Sequence, residues 1–490
     1  MVDVVIVGAG PAGLTLAAEL ALRNISCVVL EKRIEDAKIS RAFSLAPYTL
    51  ELFAMRGVAQ SMIERGRPCY FAPLSDGRSH LDLSSIPSQF NYLLTLPQVK
   101  TNQVLEKWAV DCGAIIMRGA ELINLKQHKD HVEVVFLRHD RYCILNAKYV
   151  IGCDGINSAV RKIAHIDYIG CTVEKSLMHG DVFLSTPPEN PVFAKTSRHG
   201  MVATIPFKDN LFRILVIDQD RMNVPLEHKL TIEELSNSVK RITGRDFGIS
   251  SAHWLQRFRG QQKHASTYRQ ERVLLCGDAA HSHLPAGGQG LQMCIQDAFN
   301  LGWKLAATIS GIASETILDS YVTERRPMIE AAMKHSLRMF HYETSFSGLS
   351  VASMRVLNNL LRIPLFSKWV ISKISGLDTR YQIDGASFSN SIGMIFDNDI
   401  VKDSKRRPIR LAQALQSGKP TFVSNADQVI HFHNEPNIMK HFTLAINEVG
   451  SATYSHKNIL IRPDGLIADE VKRWNPENIR SAAKKCFDQL

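Results

Sequence analysis

The sequence predicts an α/β fold with a parallel sheet at its centre, and three observations predict it. An apolar, β-branched run over residues 2–7 leads into a glycine-rich turn and a helical pattern over 11–22. A second apolar run, 27–30, closes the β-α-β unit and ends at an acid, Glu31. Two later short runs, 149–152 and 273–276, again end in small residues and an aspartate. Strands that read as continuous apolar runs are usually covered on both faces, as in a parallel sheet, and such sheets bind ligands at their carboxyl ends.

The turn after the first strand is G-A-G-P-A-G, residues 8–13. In such a turn Gly8 permits the tight bend, Gly10 lets the backbone approach a pyrophosphate, and Gly13 allows the helix to pack closely on the strand. Pro11 and Ala12 open the helix, whose free amides face the phosphates. Glu31 is placed to accept hydrogen bonds from ribose hydroxyls, with Lys32 beside it. An acid there disfavours a 2′-phosphate, so the expected resident is FAD or NAD. A lone glycine triplet is a weak signal; strand, turn, helix and second strand in order make a strong one.

The second run turns at Gly152, Cys153, Asp154 and Gly155, with Ser158 and Arg161 following. The third turns at Gly277, Asp278, Ala279, Ala280 and His281. Pro285 and the flexible Gly287, Gly288, Gln289, Gly290 then precede Leu291 and Gln292 of a new helix. Either turn alone is also compatible with a plain Asx turn. Together with the first they place three ligand-facing turns at neighbouring strand ends, where Asp278 is positioned for a ribityl hydroxyl. The helix starting near Gly290 would offer its positive end to an anionic ring.

Between about 171 and 267 the pattern shifts to short alternating segments such as 182–184, 202–205 and 212–217, which predict an inserted antiparallel sheet. Phe183, Met201, Phe212 and Arg213 are its candidate pocket residues, though each taken singly reads more readily as ordinary sheet packing. From Gly290 to about His341 the chain is helical. Asp397, Asn398, Asp399 and the basic run Lys405, Arg406, Arg407 before Pro408 mark a boundary, and the last ninety or so residues form a small α/β unit. The expected organisation is a discontinuous nucleotide-binding domain (1–170 and 268–395), a substrate-binding sheet domain (171–267) and a C-terminal domain (396–490).

At 490 residues, 45% apolar, the chain can bury more than one core. Its formal charge of +10 is spread along the length with acids interleaved, which suits attraction of anionic dinucleotides better than a nucleic-acid arm. Nine cysteines form no C-x-x-C pair and no metal-ligand spacing, so no metal is expected and reduced thiols in a cytoplasmic protein fit best. Residues 349–374 come closest to a membrane span, but Arg355, Arg362 and Lys368 interrupt them, so stable membrane insertion is not expected. No Ser-His-Asp constellation is evident, and no catalytic base is assigned. His281 and His283 flank the third turn, where a histidine is more often a structural hydrogen-bonder than a proton relay.

The sequence resembles the single-component flavoprotein monooxygenases typified by para-hydroxybenzoate hydroxylase, and more closely the aromatic-polyketide, phenylpropionate and rifampicin hydroxylases. The resemblance runs through G-A-G-P-A-G, Ser40-Arg41-Ala42, Leu96-Pro97-Gln98, G-C-D-G-I-N-S-A-V-R at 152–161 and R-V-L-L-C-G-D-A-A-H at 272–281. It continues in P-A-G-G-Q-G at 285–290, D-A-F-N-L-G-W-K-L-A at 297–306, Tyr321 with E-R-R-P at 324–327, and S-G-L-D at 375–378. It implies a Rossmann-like FAD-binding domain, the inserted sheet domain, and a thioredoxin-like C-terminal domain carrying Ile461-Arg462-Pro463-Asp464-Gly465 but no redox cysteine pair.

By the same resemblance Glu31 binds the adenosine ribose, while Arg41 and Gln98 contact the phosphate and ribityl region. Asp154 and Arg161 serve both FAD and the incoming nicotinamide, Asp278 binds the ribityl chain, and Pro285 with the 287–290 turn edges the isoalloxazine. The implied activity is hydroxylation of an aromatic or polyketide-like substrate with NAD(P)H as transient co-substrate and O2, through a C4a-hydroperoxyflavin; a homodimer is the candidate assembly. Where the family usually has Asn and then a small residue, this chain has Gln292 and Cys294, which bears on ring contacts and flavin mobility. The rivals are a related flavin reductase, a halogenase, for which no W-x-W-x-I-P occurs, and a flavin-bound scaffold with a spoiled ring site.

Overall fold

The computed structural model describes every residue except 38, 285, 384–388 and 448–457, and of Val351 and Arg355 it describes only the backbone. Of the expected site residues, Pro285 therefore lies outside the described residues.

The first sheet has eight strands. Its main path runs Arg269–Gln270, Val273–Leu275, Arg141–Gly152, Val2–Val7, Cys27–Glu31, Ile115–Arg118, and the four contacts between Val273–Leu275 and Ile115–Arg118 are parallel. The register matters most for function. Val7 lies opposite both Leu30 and Gly152, and Gly152 lies opposite Leu275. The three turns that follow these strands consequently leave the sheet side by side. Helix Pro11–Ala21 starts with Pro11 in its first turn, where a missing N–H costs nothing. It packs against helix Gly290–Ile309, where a Cβ on Gly302 would come within 2.7 Å of the Glu19 side chain. Glu19 is fully buried and paired to Arg56 at 2.6 Å and Arg23 at 2.9 Å.

The second sheet is antiparallel throughout: Phe193–Ser197, Gly200–Pro206, Leu211–Asp218, Tyr168–Leu184, Ile249–Ala265, His281–Ser282. Tyr168–Leu184 begins before residue 171, and the last strand belongs to the loop after Asp278, so the two sheets are joined at the site. Side chains alternate across this sheet. Met178, Val182, Val202, Phe212 and Val216 pack with Leu235, Val239 and Ile242 of helix Ile232–Thr243. Leu177, Ile217 and, more partially, Met201 point the other way and pack with Leu284, Ala286 and Phe340.

A third sheet, Pro408–Arg410, Ile400–Lys402, Thr443–Asn447, Thr421–Asn425, Asn458–Ile461, Ile467–Val471, closes the chain with helix Pro476–Cys486 against it. It is not loosely appended. Val423, Ala445 and Ile459 share the main apolar core, Arg462 pairs with Glu324 at 2.8 Å, and Arg56 donates to the Pro463 carbonyl at 2.6 Å. The stretch 349–374 forms two helices, Gly348–Leu360 and Pro364–Ser375, whose Leu361 and Ile371 pack on Ala72, Leu81 and Leu83. Among the described residues no helix is long and apolar enough to cross a membrane.

Candidate cofactor site

The three glycines of the first turn separate by what a side chain would meet. At Gly8, whose φ is +104°, a Cβ would lie 2.5 Å from the Cys153 carbonyl oxygen; at Gly13 it would lie 2.0 Å from the Gly8 oxygen. Both are therefore closed by the protein itself. At Gly10 a Cβ would meet nothing within 4 Å, so the space that Gly10 keeps free is not filled by the chain. Gly10 also caps helix Pro11–Ala21 without any side-chain hydrogen bond, leaving backbone donors facing that space.

Glu31 is buried at the end of its strand. Its carboxylate accepts from the Ala9 N–H at 2.8 Å and from the Arg33 N–H and Nε at 2.9 Å each. Burial opposes the charge, but the Arg33 and Ala9 hydrogen bonds outweigh it and hold the pKa below the ordinary carboxylate value. A carboxylate has room for further donors beyond these. Lys32 is exposed beside it.

Asp154 caps helix Ala159–Ile163 through one oxygen, which accepts from the Ala159 N–H at 2.6 Å and the Val160 N–H at 3.1 Å. Its other oxygen, Oδ1, is buried with no partner among the described residues. Burial raises its pKa. Arg161 is differently placed: its guanidinium donates to the Ala279 and Ile156 carbonyls at 2.8 and 2.7 Å and lies 3.7 Å over the Tyr168 ring. It braces the second turn against the third.

Among the described residues Asp278 accepts one weak bond, from the Cys294 thiol at 3.4 Å, and burial raises its pKa. Gly277, at φ +66°, lies where a Cβ would crowd Ala12 and Cys294, so the first and third turns are in contact through it. Gly288 and Gly290 meet nothing within 4 Å, and helix Gly290–Ile309 begins at Gln289 without a side-chain cap. A second unprotected helix N-terminus thus opens beside the third turn. Leu291 is buried under it. Gln292 is turned sideways, accepting from the Thr49 hydroxyl at 2.6 Å and donating to the Ser44 carbonyl at 2.8 Å. Arg41 is exposed, and its carbonyl is gripped by Arg213 at 2.8 Å. Gln98 holds the same loop by accepting from the Ala42 N–H at 3.1 Å.

The structure also shows polar groups that sequence reasoning missed. Beneath the third turn, Asp297 accepts from His281 at 2.6 Å, Arg325 at 2.6 Å and the Gly277 N–H at 3.0 Å. Burial opposes its charge, yet the His281 and Arg325 side chains bring its pKa down to about 2. On the inner face of the antiparallel sheet, Asp181 is paired with Arg213 and accepts from the Trp254 Nε1 at 2.8 Å. Arg213 and Met201 lie on that inner face, whereas Phe212 packs under helix Ile232–Thr243. Period-two alternation of His179 and Asp181 within an apolar strand was the available signal.

Neighbouring turns with open glycines, two uncapped helix ends and an orphaned carboxylate oxygen suit a dinucleotide with an anionic pyrophosphate. Comparison with known proteins agrees. The family model for the FAD binding domain matches residues 1–336. An uncharacterized aromatic compound monooxygenase of Bacillus subtilis is 35% identical over 481 residues, covering 97% of this chain and 95% of that protein. A rifampicin monooxygenase of Streptomyces venezuelae is 35% identical over 390 residues, 78% of this chain and 80% of its own. Among solved structures, the anhydrotetracycline hydroxylase of Streptomyces rimosus superposes with a TM-score of 0.84 at 29% identity, covering 99% of each chain.

Proposed function

The chain belongs to the FAD binding domain family, and on that premise we propose that it is an FAD-dependent monooxygenase that uses NAD(P)H and O2 to hydroxylate an aromatic or polyketide-like substrate. The observation that carries this reading is the convergence of the three strand-end turns, because the sheet register sets Gly8, Cys153 and Cys276 side by side at one edge. Bound FAD supplies hydride acceptance and oxygen activation, chemistry that no side chain offers. The residues of the chain bind, orient and shield.

In this reading the Gly10 turn and the end of helix Pro11–Ala21 take the pyrophosphate, Glu31 takes the adenosine ribose, and Arg41 and Gln98 serve the phosphate and ribityl region. Asp278 takes a ribityl hydroxyl. Gly288, Gly290, Leu291 and the Gln292 backbone edge the ring at the second helix end. Asp154 uses its free oxygen, while Arg161 fixes the turn that carries it. Substrate lies on the inner face of the antiparallel sheet, beside the apolar cluster that Leu177 and Ile217 form with Leu284 and Ala286. We assign the discontinuous cofactor domain, the inserted sheet domain and a thioredoxin-like C-terminal domain at the boundaries expected from the sequence, except that the sheet domain takes in the whole of strand Tyr168–Leu184. All nine cysteines are free, which supports a reducing, cytoplasmic setting. A homodimer, if formed, would show a native mass twice that of the chain.

The test is purification and turnover. The protein should be yellow, its flavin should bleach anaerobically on mixing with NAD(P)H, and an aromatic substrate should gain one oxygen atom by mass. Colourless protein that refuses added FAD removes the cofactor reading. Yellow protein that never bleaches leaves the scaffold alternative in its place.

A further inference from the structure

Helices Gly348–Leu360 and Pro364–Ser375 are apolar on two faces, and the fold uses only one of them. On the first helix and its cap, Met354, Asn358 and Leu361 recur at helical spacing and are buried; on the second, Ile371 and Ser375 are. Leu361 and Ile371 join Leu81 and Leu83 in one cluster. Leu349, Val356 and Leu360 recur at the same period on the opposite side of the first helix, and all three are exposed, Leu349 by 86%. Beyond the turn, Leu365 and Trp369 stand one helical turn apart, 78% and 61% exposed, with Phe366 beside them. Of the 23 large apolar side chains exposed among the described residues, eight fall within 349–369. Single exposed apolar residues are ordinary, whereas a group clustered this tightly marks an interaction surface.

The charges of the same segment say what covers it. Residues 344–377 contain no acid and four bases, Arg355, Arg362, Lys368 and Lys373. Lys368 is exposed next to Trp369 and makes no ion pair among the described residues. Lys373 follows Trp369 by one turn on the same face, and its side chain is 53% exposed even with Asp378 at 2.6 Å. Arg362 is equally open, with Asp76 at 3.7 Å. A second copy of the chain laid face to face would set these bases against themselves, because a two-fold contact pairs a patch with itself. Anionic headgroups over an apolar layer fit both parts at once, taking up bases at the phosphates and Leu, Phe and Trp just beneath. Neither helix is long and apolar enough to cross a membrane, so the segment lies on the bilayer without spanning it.

We propose that this face docks the protein reversibly on an anionic phospholipid surface. Leu365, Phe366 and Trp369 enter the boundary between headgroups and acyl chains. Lys368, Lys373 and Arg362 reach the headgroup phosphates, their long stems running along the apolar side chains. The buried face holds the two helices on the protein meanwhile, so docking needs no unfolding of the segment. It is also independent of the reaction assigned to the flavin.

The test is sedimentation of the holoprotein with vesicles of phosphatidylcholine alone and of phosphatidylcholine containing about a quarter phosphatidylglycerol. Partition onto the anionic vesicles should be at least about tenfold stronger than onto the neutral ones, and should weaken as salt is raised. F366S/W369S should lose at least about tenfold in partition onto anionic vesicles at unchanged flavin content and unfolding midpoint. K368E should lose about tenfold on anionic vesicles and nothing on neutral ones. No partition onto anionic vesicles, equal partition onto both kinds, or partition undiminished in either variant overturns the proposal. A native mass twice that of the chain, falling to one chain in F366S/W369S and accompanied by no vesicle binding, overturns it in favour of a second copy on the same face.

Discussion

Asp297 and Asp278 flank the same turn and meet opposite fates. Asp297 is saturated: a histidine, an arginine and a backbone N–H surround it, and its pKa falls to about 2. Among the described residues Asp278 has a single hydrogen-bond partner, a thiol, and Asp154 across the sheet edge keeps one oxygen bare; burial drives the pKa of both upward. Folding alone accounts for Asp297. It does not account for the other two, whose desolvation is compensated only when something else donates to them. The contrast separates braces from the groups proposed to face the ligand, and by that criterion Arg161, engaged by two carbonyls and the Tyr168 ring, stands with the braces.

Removing a brace should cost folding. D297A leaves the buried Arg325 guanidinium without its carboxylate, and losing one partner of a buried pair destabilises by about 3–5 kcal/mol. Urea unfolding of the apoprotein measures it; a loss below about 1 kcal/mol would erase the distinction drawn here. The glycines sharpen the same comparison. G13A drives a methyl into the Gly8 carbonyl and should cost about 1–3 kcal/mol or more of stability. G10A, entering open space, should leave apoprotein unfolding nearly unchanged and weaken FAD binding instead.

For the ligand-facing class the effect should move from stability to affinity. D278N keeps shape but removes the charge, so the apoprotein should be unchanged or slightly more stable, because a desolvated carboxylate is relieved. FAD affinity should fall about 10- to 100-fold, the equivalent of losing a charged hydrogen bond of about 1.5–3 kcal/mol. Isothermal titration of apoprotein with FAD reads this directly. A D278N protein that unfolds like D297A would place Asp278 among the braces.

Much of this division was visible in the sequence, and the reason is local. The glycine turn, Glu31 and the two later strand ends act through backbone shape and short-range order, which spacing encodes. Parallel register followed from uninterrupted apolar runs. What spacing could not carry was long-range pairing: Arg213 reaches back to Ser40 and Arg41, and Arg462 crosses from the C-terminal unit to Glu324. The face of Phe212 was equally invisible, since a one-residue change of register exchanges core for pocket. Gln292 shows the converse. Its chemistry looked disruptive next to the ring site, yet its length lets it turn away to Ser44 and Thr49, which no motif reports.

Two histidines near the site allow a smaller test of the same logic. His179 and His283 are both buried, and both have their pKa lowered to about 3, burial being the first cause in each. In the unfolded chain each titrates near the ordinary 6.5. Between those values the unfolded state binds protons that the folded state refuses. Stability from neutral burial is therefore complete above about pH 6.5 and declines as pH falls toward 3, by about 1.4 kcal/mol per pH unit for each ring. Asp154, Asp278 and Glu343, whose pKa values are raised, work in the opposite direction over part of the window. That opposition is common to parent and variant and cancels in their difference. Urea midpoints from pH 7 to pH 5 should show H179F losing stability with acid less steeply than the parent, by about 1.4 kcal/mol per unit below pH 6.5. Parallel curves would mean that the His179 ring takes up its proton in the folded protein as readily as in water.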